Sequence, residues 1–157
     1  MKYFIVISIM SCLLFFSCRS NQPDKVVLAY VTTKNRPLPD PSYMTHINFA
    51  FATVNNTFDG IVIGRPDKLK EIVALKKINP SLKVLLSIGG WGAGGFSEMA
   101  STVTTRKAFA RDCKRVIDEF GLDGIDMDWE YLSDDDDFTL AKAVFHGFYK
   151  SRKKRFY

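Results

Sequence analysis

Residues 121–131 read Gly-Leu-Asp-Gly-Ile-Asp-Met-Asp-Trp-Glu-Tyr, an apolar stretch in which every second residue from Asp126 to Glu130 is acidic. Residues two apart on a β-strand share a face, so Asp126, Asp128 and Glu130 are predicted to point the same way, with neighbouring Cα atoms roughly 6.6 Å apart. The residues between them are predicted to pack under helices; they are Ile125, Met127 and Trp129. Asp123 has the opposite parity, which indicates a structural role at the start of the strand.

Three acids on one face of an apolar strand favour a polar cleft, because an unpaired buried carboxylate is strongly disfavoured. Like charges this close favour retention of a proton by one carboxyl, which can then act as a general acid. Glu130, the last and longest, is the candidate acid. A structural acid cluster or a cation site is the alternative. The spacing suggests a calcium loop, but Tyr131 lies where that loop requires glycine, so no metal is predicted.

Four nearly continuous apolar runs predict strands buried on both faces, as in parallel sheets. They cover residues 26–31, 46–54, 83–88 and 122–129. Helical spacing predicts one helix over residues 67–78, which follows Pro66, and another over residues 105–120, which precedes Gly121. Strands that alternate with helices predict βα units with right-handed crossovers.

Such units build either a doubly wound sheet or a (β/α)8 barrel. Acids at the C-terminal end of a strand favour the barrel, because barrel enzymes keep their active sites there. A full barrel needs about 250 residues, whereas this chain has 157. The predicted fold class is therefore α/β, the N-terminal half of a (β/α)8 TIM barrel with about four parallel strands and flanking helices.

The first residues carry the pattern of an export signal. Lys2 precedes an apolar run over residues 3–16, which is too short to span a bilayer and is typical of a signal peptide. Residues 1–17 are predicted to be that signal, with Cys18 lipid-modified as in bacterial lipoproteins, and residues 18–24 a linker. Plain secretion is the alternative. Either way the protein is expected to be exported, to the cell envelope or beyond, with attachment to the membrane through Cys18 in the first case.

Charge is distributed unevenly along the chain. Residues 19–140 hold 15 Lys and Arg against 17 Asp and Glu, whereas residues 141–157 hold six basic residues and no acid. A nearly neutral body argues against a nucleic-acid partner. The predicted domain covers residues 25–140, and residues 141–157 form a divergent basic tail, for which a frameshift or premature stop is the working hypothesis. Cys113 lies on an apolar helix face and is predicted to be buried.

The motif Asp123-x-x-Asp126-x-Asp128-x-Glu130, with its Trp129 and Tyr131, resembles the signature of family 18 glycoside hydrolases, the chitinase type. Ser87-Ile88-Gly89-Gly90-Trp91 is similar to the Ser-x-Gly-Gly motif of the family's third strand. Lesser matches are Tyr30 and the run Phe49-Ala50-Phe51. The resemblance covers roughly residues 26–140.

The resemblance implies retaining, substrate-assisted hydrolysis of β-1,4-linked N-acetylglucosamine polymers, chitin or chito-oligosaccharides, with no cofactor. It assigns Glu130 as the proton donor that later activates water, and Asp128 as the group that orients the substrate's acetamido group. Asp126 is expected to share a proton with Asp128. The remaining implied substrate-binding residues are Tyr30, Phe51, Ser87, Gly89, Gly90, Trp91 and Tyr131, and the implied structural residues are Asp123 and Gly124.

Three alternatives stay open. One is an endo-acting enzyme on N-glycans, another is a non-catalytic carbohydrate-binding relative, and the third is an inactive truncated product. The role of Trp91 in the glycine-rich stretch over residues 89–95 is also open, because the ring could either stack on a sugar or pack beneath the loop. That stretch is not a phosphate loop, since Phe96 stands where the lysine is needed.

Overall fold

The computed structural model describes residues 25–130, which form one mainly parallel sheet with helices on one side. Its strands are β1 (Leu28–Thr32), β2 (His46–Val54), β3 (Ile61–Ile63), β4 (Lys83–Gly89) and β5 (Gly124–Asp128). Its helices are α1 (Pro66–Ala74), α2 (Phe96–Ser101) and α3 (Val103–Phe120), with short 3-10 turns at Pro41–Tyr43 and Leu75–Lys77. Within this range no helix has both the length and the apolar character needed to cross a membrane.

The sheet has the order β1-β2-β4-β5, and all neighbours on this path are parallel. The short strand β3 lies off the path and pairs antiparallel with the end of β2. Strands therefore follow one another across the sheet in chain order. In a doubly wound sheet the later strands are added on both sides of the first one, whereas in a barrel each strand is added beside the one before it. The strand order seen here is therefore that of a barrel wall. The predicted α/β class, with four parallel strands and flanking helices, is confirmed.

Local signals explain where the two long helices begin and end. Pro66 occupies the first turn of α1, where its missing N–H costs no hydrogen bond. The Thr102 side chain caps α3 by accepting a hydrogen bond from the Thr105 N–H at 3.1 Å. Gly121 ends α3 in the left-handed region at φ +69°, as the sequence predicts.

Two elements were not predicted from the sequence. Strand β3 is only three residues long and exists because it pairs with the last residues of β2. Helix α2 has six residues between Gly95 and Thr102 and contributes Phe96 and Met99 to the core. Segments this short carry little periodicity of their own, so their structure depends on partners distant in sequence.

The hydrophobic core lies between the helices and the outer face of the sheet. Its fully buried side chains come from β2, β4 and all three helices, and the largest include Phe49, Leu86, Ile88, Leu69, Met99 and Phe109. Cys113 is buried among them as predicted, and burial raises the pKa of its thiol. Ile125, Met127 and Trp129 pack against this core, which confirms the predicted parity of β5.

Candidate active site

The opposite face of the sheet carries the polar side chains. The β4–β5 register pairs Ser87 with Asp126 and Gly89 with Asp128. The acids of β5 therefore lie beside the C-terminal end of β4. Asp126 and Asp128 are partly buried, and Glu130 is exposed just beyond the end of β5. Because β-strand parity separates these residues from Ile125 and Met127, the acids face away from the helices.

The carboxylate of Asp126 is held by hydroxyl groups from two other strands. Its Oδ2 accepts a hydrogen bond from the Tyr30 hydroxyl of β1 at 2.8 Å and another from Ser87 Oγ of β4 at 2.8 Å. Ser87 is fully buried. Two donors on one oxygen fix the rotamer of Asp126 and tie three strands together at the site.

Tyr30 is the hydrogen-bond donor in this arrangement over a wide pH range. Its hydrogen bond to Asp126 is the main factor that raises the pKa of Tyr30 above the usual 10.0, and burial adds to the effect. The side chain of Asn48, the register neighbour of Tyr30 on β2, lowers the pKa of Tyr30 without reversing this shift. The tyrosine therefore stays protonated, and available as a donor, throughout the neutral range.

Asp128 and Glu130 are held less tightly than Asp126. The backbone carbonyl of Asp128 accepts a hydrogen bond from Gly90 N–H at 3.0 Å. Among residues 25–130, however, no side chain donates a hydrogen bond to the carboxylates of Asp128 and Glu130. Within the described residues the side-chain hydrogen bonds of this acid series are therefore those that hold Asp126.

Two glycines let the end of β4 approach this site closely. At Gly89, with φ +120°, a Cβ atom would lie 2.1 Å from the Asp128 carbonyl oxygen. At Gly90, with φ +90°, a Cβ atom would lie 3.1 Å from the ring of Phe51. Any side chain at Gly89 would push the β4 backbone away from β5, so the backbone geometry of the site depends on this glycine.

Aromatic rings line the same end of the sheet. The Phe51 ring is 6.5 Å from the Tyr30 ring between centroids, and both rings are partly exposed. The Ala50–Phe51 peptide bond is cis, and the β2–β4 register shifts between Ala50 and Ala52. Trp91 is 89% exposed, so the interpretation that it packs beneath the loop is wrong. Trp129 is instead partly buried against the core, and its ring stacks on that of Phe96 with 5.3 Å between centroids.

Asp123 lies at the other end of β5, away from the acids. Its Oδ2 accepts a hydrogen bond from the Val84 N–H at 2.8 Å and forms an ion pair with Lys76 Nζ at 2.5 Å. Lys83 Nζ lies 3.4 Å from its Oδ1. The adjacent Gly124 is buried, and a Cβ atom there would meet the Leu85 side chain at 3.5 Å. These contacts join the starts of β4 and β5.

Two of the predicted site residues, Tyr131 and Cys18, lie outside the described residues and stay predictions. Asn48 was not predicted: it is a buried polar residue beside Tyr30 on the inner face. The sequence signal for this residue is an amide side chain within the apolar run of β2, two residues after His46 and so on the same face of the strand. Within residues 25–130 no three His, Cys, Asp or Glu side chains are grouped so that they could hold a metal ion.

Residues 24–156 match the family model described as Glycosyl hydrolases family 18. The chain belongs to glycosyl hydrolase family 18. The family match extends past residue 140, where the sequence motifs had suggested that the resemblance ends.

Relatives of this family 18 chain include Chitotriosidase-1 of Mus musculus, which is 34% identical over 120 residues and is matched over 74% of this chain and 26% of its own length. Chitinase B of Serratia marcescens is 33% identical over 102 residues, matched over 56% of this chain and 20% of its own length. The family 18 chain therefore spans about a quarter or less of these relatives.

Solved structures agree with the fold. The chitinase domain of the spore coat protein CotE from Clostridium difficile has a TM-score of 0.74 and 37% identity, covering 83% of this chain and 40% of that one. A class V chitinase from Nicotiana tobaccum in complex with NAG4 has a TM-score of 0.78 and 25% identity, with the same coverage. The family 18 chain thus forms part of an α/β barrel.

Proposed function

We propose that the catalytic domain to which this chain belongs hydrolyses β-1,4-linked N-acetylglucosamine polymers, chitin or chito-oligosaccharides, with Glu130 as the proton donor. The observation that carries the proposal is the clamped Asp126, whose Oδ2 accepts hydrogen bonds from Tyr30 and Ser87 at 2.8 Å each. This anchored acid lies on the strand that leads to the exposed Glu130. Membership of family 18 supports the same chemistry.

In the proposed reaction Glu130 gives its proton to the glycosidic oxygen as the bond from that oxygen to the anomeric carbon breaks. The carbonyl oxygen of the substrate's own acetamido group bonds to the same carbon, which forms a cyclic oxazolinium ion. Glu130 then takes a proton from the water molecule that opens this ring. The anomeric carbon is inverted once in each step, so its configuration is retained overall. This is the substrate-assisted exception to the usual scheme, in which a second carboxylate is the nucleophile.

The other two acids have separate roles in this scheme. Asp128, whose carboxylate is without a side-chain donor in the described part of the chain, orients the acetamido group and stabilises its positive charge. Asp126 stays in place under the hydroxyls of Tyr30 and Ser87 and exchanges a proton with Asp128. The exposed faces of Phe51 and Trp91 offer stacking surfaces for sugar rings.

Binding without hydrolysis is the second candidate function. A chitinase-like agglutinin from Robinia pseudoacacia has a TM-score of 0.71 and 29% identity, covering 77% of this chain and 39% of that one. An intact Glu130 favours hydrolysis over this alternative.

Release of a fluorophore from a fluorogenic chitobiose substrate tests the proposal, with the full chain purified in detergent compared with Glu130→Gln. The variant is expected to lose about 10²- to 10⁴-fold in kcat, because a general acid contributes that much. Glu98→Gln is the matched control, since Glu98 is exposed on α2, and it is expected to leave the rate unchanged.

The two candidate functions give different results in this assay. Equal turnover by the parent and Glu130→Gln would refute the role of Glu130. Retention of both proteins on a chitin column without any turnover would favour the agglutinin-like alternative.

A further inference from the structure

A cavity of about 490 Å³ lies between helix α3 and the turn that joins β2 to β3. Ligand pockets in proteins usually measure about 300–1,000 Å³, so this one has the size for a small ligand. The turn follows the C-terminal end of β2, and the acids lie at the same end of the parallel sheet. Polar and charged side chains dominate the lining, which includes Asn55, Asp59, Ile61, Arg111, Asp112 and Arg115. The proposed hydrolysis uses none of these residues.

Hydrogen bonds hold the walls of this cavity in place. Asn55 Oδ1 accepts hydrogen bonds from the backbone N–H groups of Asp59 and Gly60, at 3.0 and 3.2 Å. Asp112 Oδ2 accepts one from the Ile61 N–H at 2.8 Å, which ties α3 to β3. A Cβ atom at Gly60 would lie 2.9 Å from both Asn55 Nδ2 and Asp112 Oδ2, so the turn can approach the helix this closely only with glycine there. The fold therefore fixes the shape of the cavity.

Two lining groups of opposite charge keep hydrogen-bonding capacity for a ligand. The Arg111 guanidinium makes no hydrogen bond or ion pair with any group of residues 25–130, and its side chain is exposed. Asp59 Oδ1 accepts hydrogen bonds from Thr57 Oγ1 at 2.5 Å and from Asn55 Nδ2 at 2.9 Å, whereas Oδ2 accepts none within the same residues. These two bonds lower the pKa of Asp59, so its carboxylate is ionised at neutral pH.

The charges around the cavity favour an uncharged polar ligand. Arg115 Nε donates to Asp112 Oδ1 at 2.7 Å, so these two lining residues neutralise each other. Arg111 and Asp59 line the same cavity without forming an ion pair, which leaves a gap between them. Asp59 would repel an anion in that gap, and Arg111 would repel a cation. Hydroxyl and amide groups both donate and accept hydrogen bonds, so a sugar that carries them can bridge the two side chains.

We propose that this cavity is an accessory binding site for one N-acetylglucosamine unit of the polymer. Arg111 donates to an oxygen of the sugar, and Asp59 Oδ2 accepts from a hydroxyl or from the acetamido N–H. The identity of the sugar rests on the proposed function, to which the cavity adds a second point of contact with the substrate. The site binds the polymer and takes no part in bond cleavage.

Adsorption of the full chain to insoluble chitin tests this site, in a Glu130→Gln background so that the polymer is not consumed. Arg111→Ala and Asp59→Asn are each expected to weaken adsorption about tenfold, because each removes a charged partner from a hydrogen bond to the sugar. Lys107→Ala is the matched control: Lys107 is exposed one turn earlier on α3 and does not line the cavity, so adsorption should not change. The urea midpoint of Arg111→Ala should equal that of the parent, which separates lost binding from lost folding.

Three results overturn the accessory site. One is equal adsorption by the parent and Arg111→Ala. Another is an equal loss in Lys107→Ala, which would show general charge attraction only. The third is release of the parent from chitin by inorganic phosphate at constant ionic strength, which would mark an anion site instead.

The fluorogenic chitobiose substrate keeps this proposal distinct from the proposed hydrolysis. With Glu130 intact, Arg111→Ala should hydrolyse that short substrate at the parent rate, because the cavity lies outside the acid series. If no protein hydrolyses it and Arg111→Ala alone still weakens adsorption to chitin, the hydrolase proposal fails and the accessory site stands. If hydrolysis proceeds and adsorption is unchanged, the accessory site fails and the hydrolase proposal stands.

Discussion

Asp123 and Asp126 are three residues apart in the chain and hold opposite ends of the same strand. Asp126 is clamped by hydroxyls at the C-terminal end of β5, where a ligand can approach. Asp123 accepts a backbone hydrogen bond from Val84 and an ion pair from Lys76 at the N-terminal end. The same residue type therefore anchors the candidate site at one end of β5 and fixes the strand register at the other, according to its partners.

Asp123→Asn is expected to destabilise the fold in a pH-dependent way. Burial acts to raise the pKa of Asp123, but hydrogen bonds from Lys76 and Val84 and the charges of Lys76 and Lys83 outweigh it, so the pKa lies below 3.8. The ionised form is favoured by folding, so its contribution is fully present above pH 3.8 and is lost as the pH falls through the lower, folded-state pKa. We expect a loss of about 1–3 kcal/mol at neutral pH.

Urea denaturation at pH 7 and at acidic pH measures this effect, and the difference between parent and variant should shrink in acid. Asp67→Asn is the matched control, because its ion pair with Arg65 is exposed and screened by solvent. A pH-independent difference, or an equal effect at Asp67, would argue against the role assigned to Asp123.

At the scale of elements, the junction between β4 and its loop determines the backbone geometry of the site. Gly89 and Gly90 both have positive φ and bring the β4 backbone against Asp128 and Phe51. The Gly90 N–H donates to the Asp128 carbonyl, which extends the β4–β5 contact beyond the last ladder pair. The glycine-rich motif thus acts by allowing close approach, and no phosphate-binding role is needed to explain it.

Gly89→Ala and Gly92→Ala should differ sharply although both residues have positive φ. At Gly92, with φ +80°, a Cβ atom would meet no atom of residues 25–130 within 4 Å, so we expect the backbone term of about 1–2 kcal/mol. At Gly89 a Cβ atom also collides with the Asp128 carbonyl oxygen. We expect Gly89→Ala to be the less stable variant and to lose at least about tenfold in kcat. Similar stability and activity of the two variants would contradict this account.

At the scale of the whole molecule, the sheet separates stability from function. Helices α1 and α3 cover one face of the sheet with a continuous apolar core, whereas the other face carries Tyr30, Asn48 and the acids. Strands β2 and β4 are central strands, each paired with a parallel neighbour on both edges. Changes in the core should therefore alter stability more than the chemistry of the site.

Phe109→Ala tests this separation. Phe109 is fully buried on α3, so its removal leaves a cavity and should cost about 3–5 kcal/mol in the free energy of unfolding. Val103→Ala on the same helix is the control, because Val103 is 55% exposed and its loss should change stability by about 0.5 kcal/mol or less. Denaturant unfolding of both variants measures the difference, and equal losses would place Phe109 outside the core.

The strands and helices were predictable where the chain carries a long, regular pattern. Strand β2 spans the predicted residues 46–54, and α3 ends at Phe120 before Gly121, as expected. Strand β1 begins at Leu28, two residues later than predicted. Strand β3 could not be predicted because its three residues gain their structure only from pairing with Ala52–Val54, a partner that periodicity does not reveal.

By itself the sequence determined the α/β class, the parity of β5 and membership of the family, because alternation and motif spacing are properties of neighbouring residues. The tertiary structure alone decided the order of the strands across the sheet, the exposure of Trp91 and the hydrogen bond between Tyr30 and Asp126. Tyr30 and Asp126 are 96 positions apart. Their meeting depends on strand pairing and on which face each side chain takes, and those quantities exist only once the chain has folded.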